Sequence, residues 1–396
     1  MEKWSELPED IIDVFAKKLP PDVEKFARFG AVCKSWKASA NNEKKRIVHF
    51  APWLMLAKRE NDDMISEDNE QGTRSCYSLY SKRIINLELP TQGRRCWGTP
   101  YGWVVTMGLD LNIHLLNPLS GERLSLPPQC KFGNQYSGYV EPRQMCQVFV
   151  KKFALASNPS LDQTPLVMAI HGEYRTLAFA TPGDKVWTSV EGPFGECTAD
   201  VIYFNDHFYS VDCEGMLRVC DINSTPPTAT KVASTPDGVN PLSTFYLVEI
   251  SGELHLVARV FSSIYRNEKH GDEVEGAGDA YGGDKEEDSN FYHYATDYFL
   301  VFKFDFHTEK WNETEDVGNH SLFLGNNASF SMSSANLPEL KGSCVYYTDD
   351  HNVLYEYRYC DMGRYDIKED NTDPIHTSKD KFSKFSRPLF FIPTPL

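Results

Sequence analysis

Apolar positions along the chain follow two regimes that change near residue 47. Before it they recur with helical spacing. Ile11, Ile12, Phe15 and Leu19 stand at i, i+1, i+4 and i+8 and make one stripe. Pro8 suits a first helical turn, where its missing N–H costs nothing. Glu9 and Asp10 complement the positive end of the helix dipole. Pro20-Pro21 ends this helix, and Asp22 opens a second with Val23, Phe26 and Ala27 facing inward. Gly30 breaks that one, and a third carries Val32, Cys33 and Trp36 as far as Asn41-Asn42. Three helices this short bury little alone, so the module needs a partner surface.

From residue 47 onward the pattern is that of strands: an apolar run, a polar turn, then a second short run. His114-Leu115-Leu116-Asn117-Pro118 leads through Ser120-Gly121 to Leu124-Ser125-Leu126. Leu177-Ala178-Phe179-Ala180 leads to Val186-Trp187, Leu217-Arg218-Val219-Cys220 to Lys231-Val232, and Leu300-Val301-Phe302 to Trp311. A fifth unit starts at Leu354-Tyr355-Glu356-Tyr357. Their return at roughly 40–50 residues is the spacing of propeller blades. The count is five, or six if residues 47–54 pair with residues 388–392. Ring closure would protect the strand edges. A β-sandwich or irregular barrel stays open as the alternative.

Composition narrows the function classes. With 40 basic and 56 acidic residues the formal charge is −16, which disfavours nucleic acid and anionic membranes as partners. Hydrophobic residues at 41% and aromatics at 13% suffice for a large core. No apolar run approaches the roughly 18 residues of a membrane span, and the first residues lack a charged-then-apolar signal pattern. The expected location is therefore cytoplasm or nucleus. There the ten cysteines read as buried reduced thiols, with Cys213 and Cys220 able to meet across a hairpin. The sequons at Asn223, Asn312, Asn319 and Asn327 read as turn chemistry. Residues 267–290, with nine acids, five glycines and two lysines, are expected to form a disordered acidic surface loop. Residues 58–74 read as an acidic, polar segment that interrupts the strand pattern, and residues 368–386 as a further exposed segment.

Candidate chemistry is sparse. Gly276-Ala277-Gly278 lacks the strand and helix of a phosphate loop and sits among carboxylates. Asp349-Asp350-His351 is expected to make a polar turn between two strands rather than an acid–base or metal site. Histidines show no metalloprotease spacing, and no Gly-x-Ser-x-Gly elbow occurs. No cofactor or metal is expected.

The ordered pieces Leu7-Pro8-Glu9-Asp10-Ile11-Ile12, Leu19-Pro20-Pro21-Asp22-Val23 and Val32-Cys33-Lys34-Ser35-Trp36-Lys37 closely resemble the F-box. The resemblance divides the chain into an F-box at residues 4–45 and a β-propeller-like domain at residues 47–396. The latter is similar to the kelch-like C-terminal domain of unknown function in plant F-box proteins. It matches at Pro52-Trp53-Leu54-Met55-Leu56, at Gly102-Trp103-Val104-Val105, at Asp200-Val201-Ile202-Tyr203 and at Cys344-Val345-Tyr346-Tyr347. The implied fold class is mainly β, a small three-helix F-box followed by a propeller-like domain.

The implied function is the substrate-recognition subunit of a Skp–cullin–F-box ubiquitin ligase, without catalysis of its own. Its partners would be a Skp-type adaptor, through it a cullin, and an unknown protein substrate. The resemblance assigns Leu7, Pro8, Ile11, Ile12, Phe15, Leu19, Val32, Cys33 and Trp36 to the adaptor interface or to the core beneath it, two roles that sequence does not separate. Glu24-Lys25 departs from the more apolar pattern common in the family and would weaken adaptor affinity. Residues 136–139 and 292–294, rich in tyrosine, are candidate recognition segments. A binding protein acting by sequestration with a vestigial F-box is the alternative, and a propeller enzyme a third reading.

Overall fold

The computed structural model describes residues 4–44, 50–58, 72–89, 93–161, 164–193, 197–266, 291–337, 339–350, 361–375 and 385–394. The acidic segment 267–290, His351 and the run Leu354–Tyr357 lie outside them.

The chain opens with helices α1 (Glu9–Ala16), α2 (Val23–Gly30) and α3 (Lys34–Lys44). Pro8 stands one position earlier than expected, capping α1 from extended backbone at φ −57° and ψ 143°. Asp22 caps α2, its Oδ1 accepting the Glu24 N–H at 2.9 Å. That bond satisfies one of the orphan donors of the first turn. Ile12, Ala16, Val23, Phe26, Phe29, Trp36 and Ala40 fill the space between the helices. This core continues into the β domain. Phe26 meets Phe50 edge-on at 5.5 Å, and the Ala51 N–H donates to the Pro21 carbonyl at 2.9 Å. Part of the partner surface that the short helices demand is thus supplied by the same chain.

The β domain is six separate sheets, so the sandwich and barrel alternatives fall. Antiparallel blades are built, from the inner strand outward, of Arg94–Gly98 to Arg123–Leu126, Val150–Leu155 to Thr188–Ser189, Thr198–Phe204 to Thr228–Ala233, and Thr244–Ile250 to Lys310–Glu313. We number these blades 2 to 5. Blade 6 has five strands, in which His320–Leu324 runs parallel to Cys344–Tyr347. Blade 1 closes the ring. Its strand Trp53–Met55 pairs with Leu389–Phe391 from the other end of the chain, Trp53 opposite Phe391 and Met55 opposite Leu389. This is the pairing that makes the count six.

Closure is tight. A Cβ on Gly98 would sit 1.9 Å from the Phe390 carbonyl oxygen, so only glycine lets blade 2 pass the closing strand. Asn327 beside blade 6 accepts the Phe390 N–H at 3.3 Å. At the centre, the buried carboxylate of Asp200 ties four blades together. It pairs with Lys152 at 2.6 Å and accepts from Ser329 Oγ and from the Leu247 N–H, both at 2.9 Å.

Two expectations are corrected. The neighbour of Cys213 is Cys197, at 2.8 Å between sulfurs, while Cys220 is buried opposite Phe208 and Ala229. The hairpin register places Cys220 toward a different core. The segment expected to be exposed over residues 368–386 is exposed at the strand Asn371–Asp373, but Phe385 and Ser386 are buried.

Candidate docking head and axial pocket

Packing divides the nine candidate residues of the head. Ile12 is 0% exposed, and Trp36 is buried with it. Leu7, Leu19 and Cys33 are half-buried against the same core. Pro8 is exposed, as are Ile11 at 41%, Phe15 at 45% and Val32 at 46%. The division follows from helix geometry. Residues four apart share a face, so Ile12 and Ala16 point inward together while Ile11 and Phe15 stand about 100° away. Trp4 and Val14 add to the exposed apolar surface. Phe15 stacks on Trp36 at 6.4 Å, and the Trp36 indole N–H donates to the Trp4 carbonyl at 3.1 Å. The buried tryptophan therefore holds the outward aromatics in place. Glu24, at the departure from the family pattern, pairs with Arg28 one turn on, and Lys25 is exposed.

Charged groups gather at one end of the propeller. In an antiparallel blade the start of the inner strand and the turn between its second and third strands lie at the same end. At that end Arg259, opposite Thr244, is completely buried. It donates to the Thr348 carbonyl and to Asp361 Oδ2, both at 3.0 Å, and lies 3.4 Å from Asp350 Oδ1. Asp350 also accepts from the Tyr246 hydroxyl at 2.8 Å, and Lys151 approaches its Oδ2 at 3.4 Å. Burial pushes the Asp350 carboxyl up, but Lys151 and Arg259 outweigh it and hold it well below the usual carboxylate range. Burial raises Asp349, which accepts from the Tyr294 hydroxyl. The pair expected in a polar turn thus belongs to a buried ion-pair network. A wet turn and a buried network both favour Asp, so sequence alone did not distinguish them. No group of three metal-ligating side chains occurs among the described residues.

Beside this network lies a cavity of about 340 Å³. Arg95, Lys151, Arg175 and Arg387 line it, with Glu173 and Asp350 as its carboxylates. Arg95 Nη1 donates to the carbonyls of Cys146, at 3.1 Å, and of Gln147. Its guanidinium lies 4.6 Å from the Trp97 ring centre. Tyr136, from one expected recognition segment, lines the same cavity, whereas Tyr139 is exposed to solvent. From the other segment, Tyr294 is tied into the Asp349 network. Sequence reading missed the four cations because no motif joins positions so far apart. Only the net acidity of the chain makes such a basic cluster stand out.

Comparisons with known proteins agree with this architecture. The KIB1-4 beta-propeller family matches residues 76–367. Over its whole length the chain is 23% identical to the F-box protein At2g17036 of Arabidopsis thaliana, covering 95% of that relative. It is 25% identical to the F-box protein SKIP23 of the same plant, with the same coverage of both chains. The match names a KIB1-4 propeller, and kelch-like character stays an expectation from sequence. The chain therefore belongs to the KIB1-4 beta-propeller family and has the organisation of plant F-box proteins, a three-helix head followed by a six-bladed propeller.

Proposed function

We propose that the chain is the substrate receptor of a Skp–cullin–F-box ubiquitin ligase, its head holding a Skp-type adaptor and its propeller a target protein. The observation that carries this reading is the apolar surface left outside on the head. Ile11, Phe15 and Val32 remain exposed although the propeller already covers Phe26. Exposed apolar groups gathered on a small module mark an interaction site. A stable complex buries on the order of 1,600 Å², and a buried phenylalanine supplies roughly 150–250 Å² of contact. No chemistry is asked of this chain. It raises the effective concentration of a target lysine near a partner enzyme carried by the cullin, in the cytoplasm or nucleus. Full-length relatives that are F-box proteins support the reading.

The test is titration of the full chain with a plant Skp-type adaptor. We expect saturable binding, weakened about tenfold or more, about 1.4 kcal/mol, by Phe15→Asp, with an unchanged melting temperature. No saturable association of the wild-type chain at concentrations on the order of 100 µM, a standard free energy near −5.5 kcal/mol, would turn the reading toward sequestration by the propeller.

A further inference from the structure

We propose that the axial cavity binds a phosphate monoester, its phosphoryl group held by Arg95 and Arg175 in the field of Lys151, and its organic carrier lodged against the apolar wall. The proposal concerns the propeller alone and stands whether or not the head holds an adaptor.

The first argument is charge. The side chains on the wall itself are four cations against two carboxylates. That is an excess of two positive charges on the lining within a chain of net charge −16, with Arg387 also in the field of Asp349 behind it. One of those carboxylates, Asp350, is also engaged by Arg259 from behind the wall. A phosphate monoester carries about −1.5 to −2 near neutral pH, which balances the excess.

The second argument is the environment of Arg95. It is 3% exposed, and among the described residues no carboxylate pairs with it. Its protein partners are the last carbonyls of the helix Pro142–Val148 and the face of Trp97. Those dipoles offer a fraction of a charge, and only Nη1 is engaged by them. Burying a guanidinium without a counter-ion is costly. Burial, with Arg387 adding like-charge repulsion, pushes Arg95 down to about 9. Burial also lowers Lys151, with Asp350 opposing and Arg175 and Arg387 reinforcing the shift. An anion in the cavity relieves both.

The third argument is shape. Arg175 sits in the turn before the strand Thr176–Ala180 with φ at 49°, a left-handed backbone that turns its half-buried side chain to the cavity. There its guanidinium faces the sulfurs of the Cys197–Cys213 pair, with Nη1 3.6 Å from Cys213 Sγ, and among the described residues no carboxylate is bonded to it. Its remaining donors form the planar fork that suits phosphate. A volume of about 340 Å³ is too large for a bare ion and falls at the lower end of ligand sites, roughly 300–1,000 Å³. Val140, Val148, Val150 and the Tyr136 ring supply an apolar wall for the carrier.

One ligand chemistry has two sources here: a free phosphate monoester, or a phosphorylated side chain of a captured protein. Calorimetry on the full chain with phenyl phosphate, and with a phosphotyrosine peptide and its unphosphorylated twin, distinguishes them. We expect saturable phenyl phosphate binding that weakens with added salt. Arg175→Gln, at a half-buried turn, should keep the fold and weaken binding about tenfold or more. Arg95→Met should abolish thermal stabilisation by phenyl phosphate. Phosphopeptide binding about tenfold or more tighter than phenyl phosphate, with the twin silent, assigns the site to a protein side chain; equal affinities assign it to a small molecule. No saturable heat from either phosphate at concentrations on the order of 10 mM, or binding unchanged in Arg175→Gln, overturns the proposal.

Discussion

His171 shows what a single buried side chain contributes. It is packed between Phe132, at 4.2 Å, and Phe149, at 5.6 Å between ring centres, with its Nδ1 unpartnered. Burial pushes its imidazole down to about 4. In the unfolded chain a histidine titrates near ~6.5. As pH falls from about 6.5 toward 4, the unfolded chain takes up a proton that the folded chain refuses. Stability is therefore complete above about 6.5 and falls through that window, by on the order of 3 kcal/mol at its lower end. Urea midpoints at pH 7 and 4.5 should draw closer together in His171→Gln than in the wild type. An unchanged gap would place the acid sensitivity elsewhere. Nothing in the sequence marked this histidine, because its surroundings come from residues some 20 to 40 positions away.

At the scale of elements, α1 carries two surfaces on one stripe. Ile12→Ala removes a side chain that is 0% exposed and should lower the stability of the head by roughly 2–5 kcal/mol. Amide exchange in α1, α2 and α3 should accelerate accordingly. Phe15→Ala, on the exposed face, should leave that exchange pattern nearly intact. Equal acceleration by both would mean that the outward face also supports the fold. The helices themselves were legible, since proline, aspartate and an i, i+4 stripe act over neighbouring residues. So were the hairpins of blades 2, 3, 4 and 5. The parallel pairing of His320–Leu324 with Cys344–Tyr347 was not, because it depends on a strand inserted at the inner edge of blade 6 rather than on local periodicity.

The whole molecule depends on its seam. Trp53–Met55 and Leu389–Phe391 close the ring, and Gly98 leaves room for them. Gly98→Ala would drive a methyl group into the Phe390 carbonyl, an overpacking that should cost about 1–3 kcal/mol or more. Deleting residues 388–396 should lower the melting temperature further still, since it removes the closing strand altogether. A melting temperature insensitive to both changes would show that closure does not hold the propeller together. The hub at Asp200 depends on the same closure, because Lys152, Ser329 and Leu247 reach it from three other blades.

Sequence by itself determined the two-part organisation, the helical head and the succession of strands. It also suggested the seam, because residues 47–54 and 388–392 are apolar runs in need of an edge. These properties come from neighbouring residues or from simple apolar matching. Tertiary structure alone decided which head residues face out, since Ile11 and Ile12 are alike in polarity and adjacent in sequence. Packing against Trp36 and the propeller separates them. It also decided the cationic cavity, where Arg95, Lys151, Arg175 and Arg387 meet only because the ring brings blade ends together. Electrostatic character at that site is set by distance in space, and the sequence order of these residues carries no record of it.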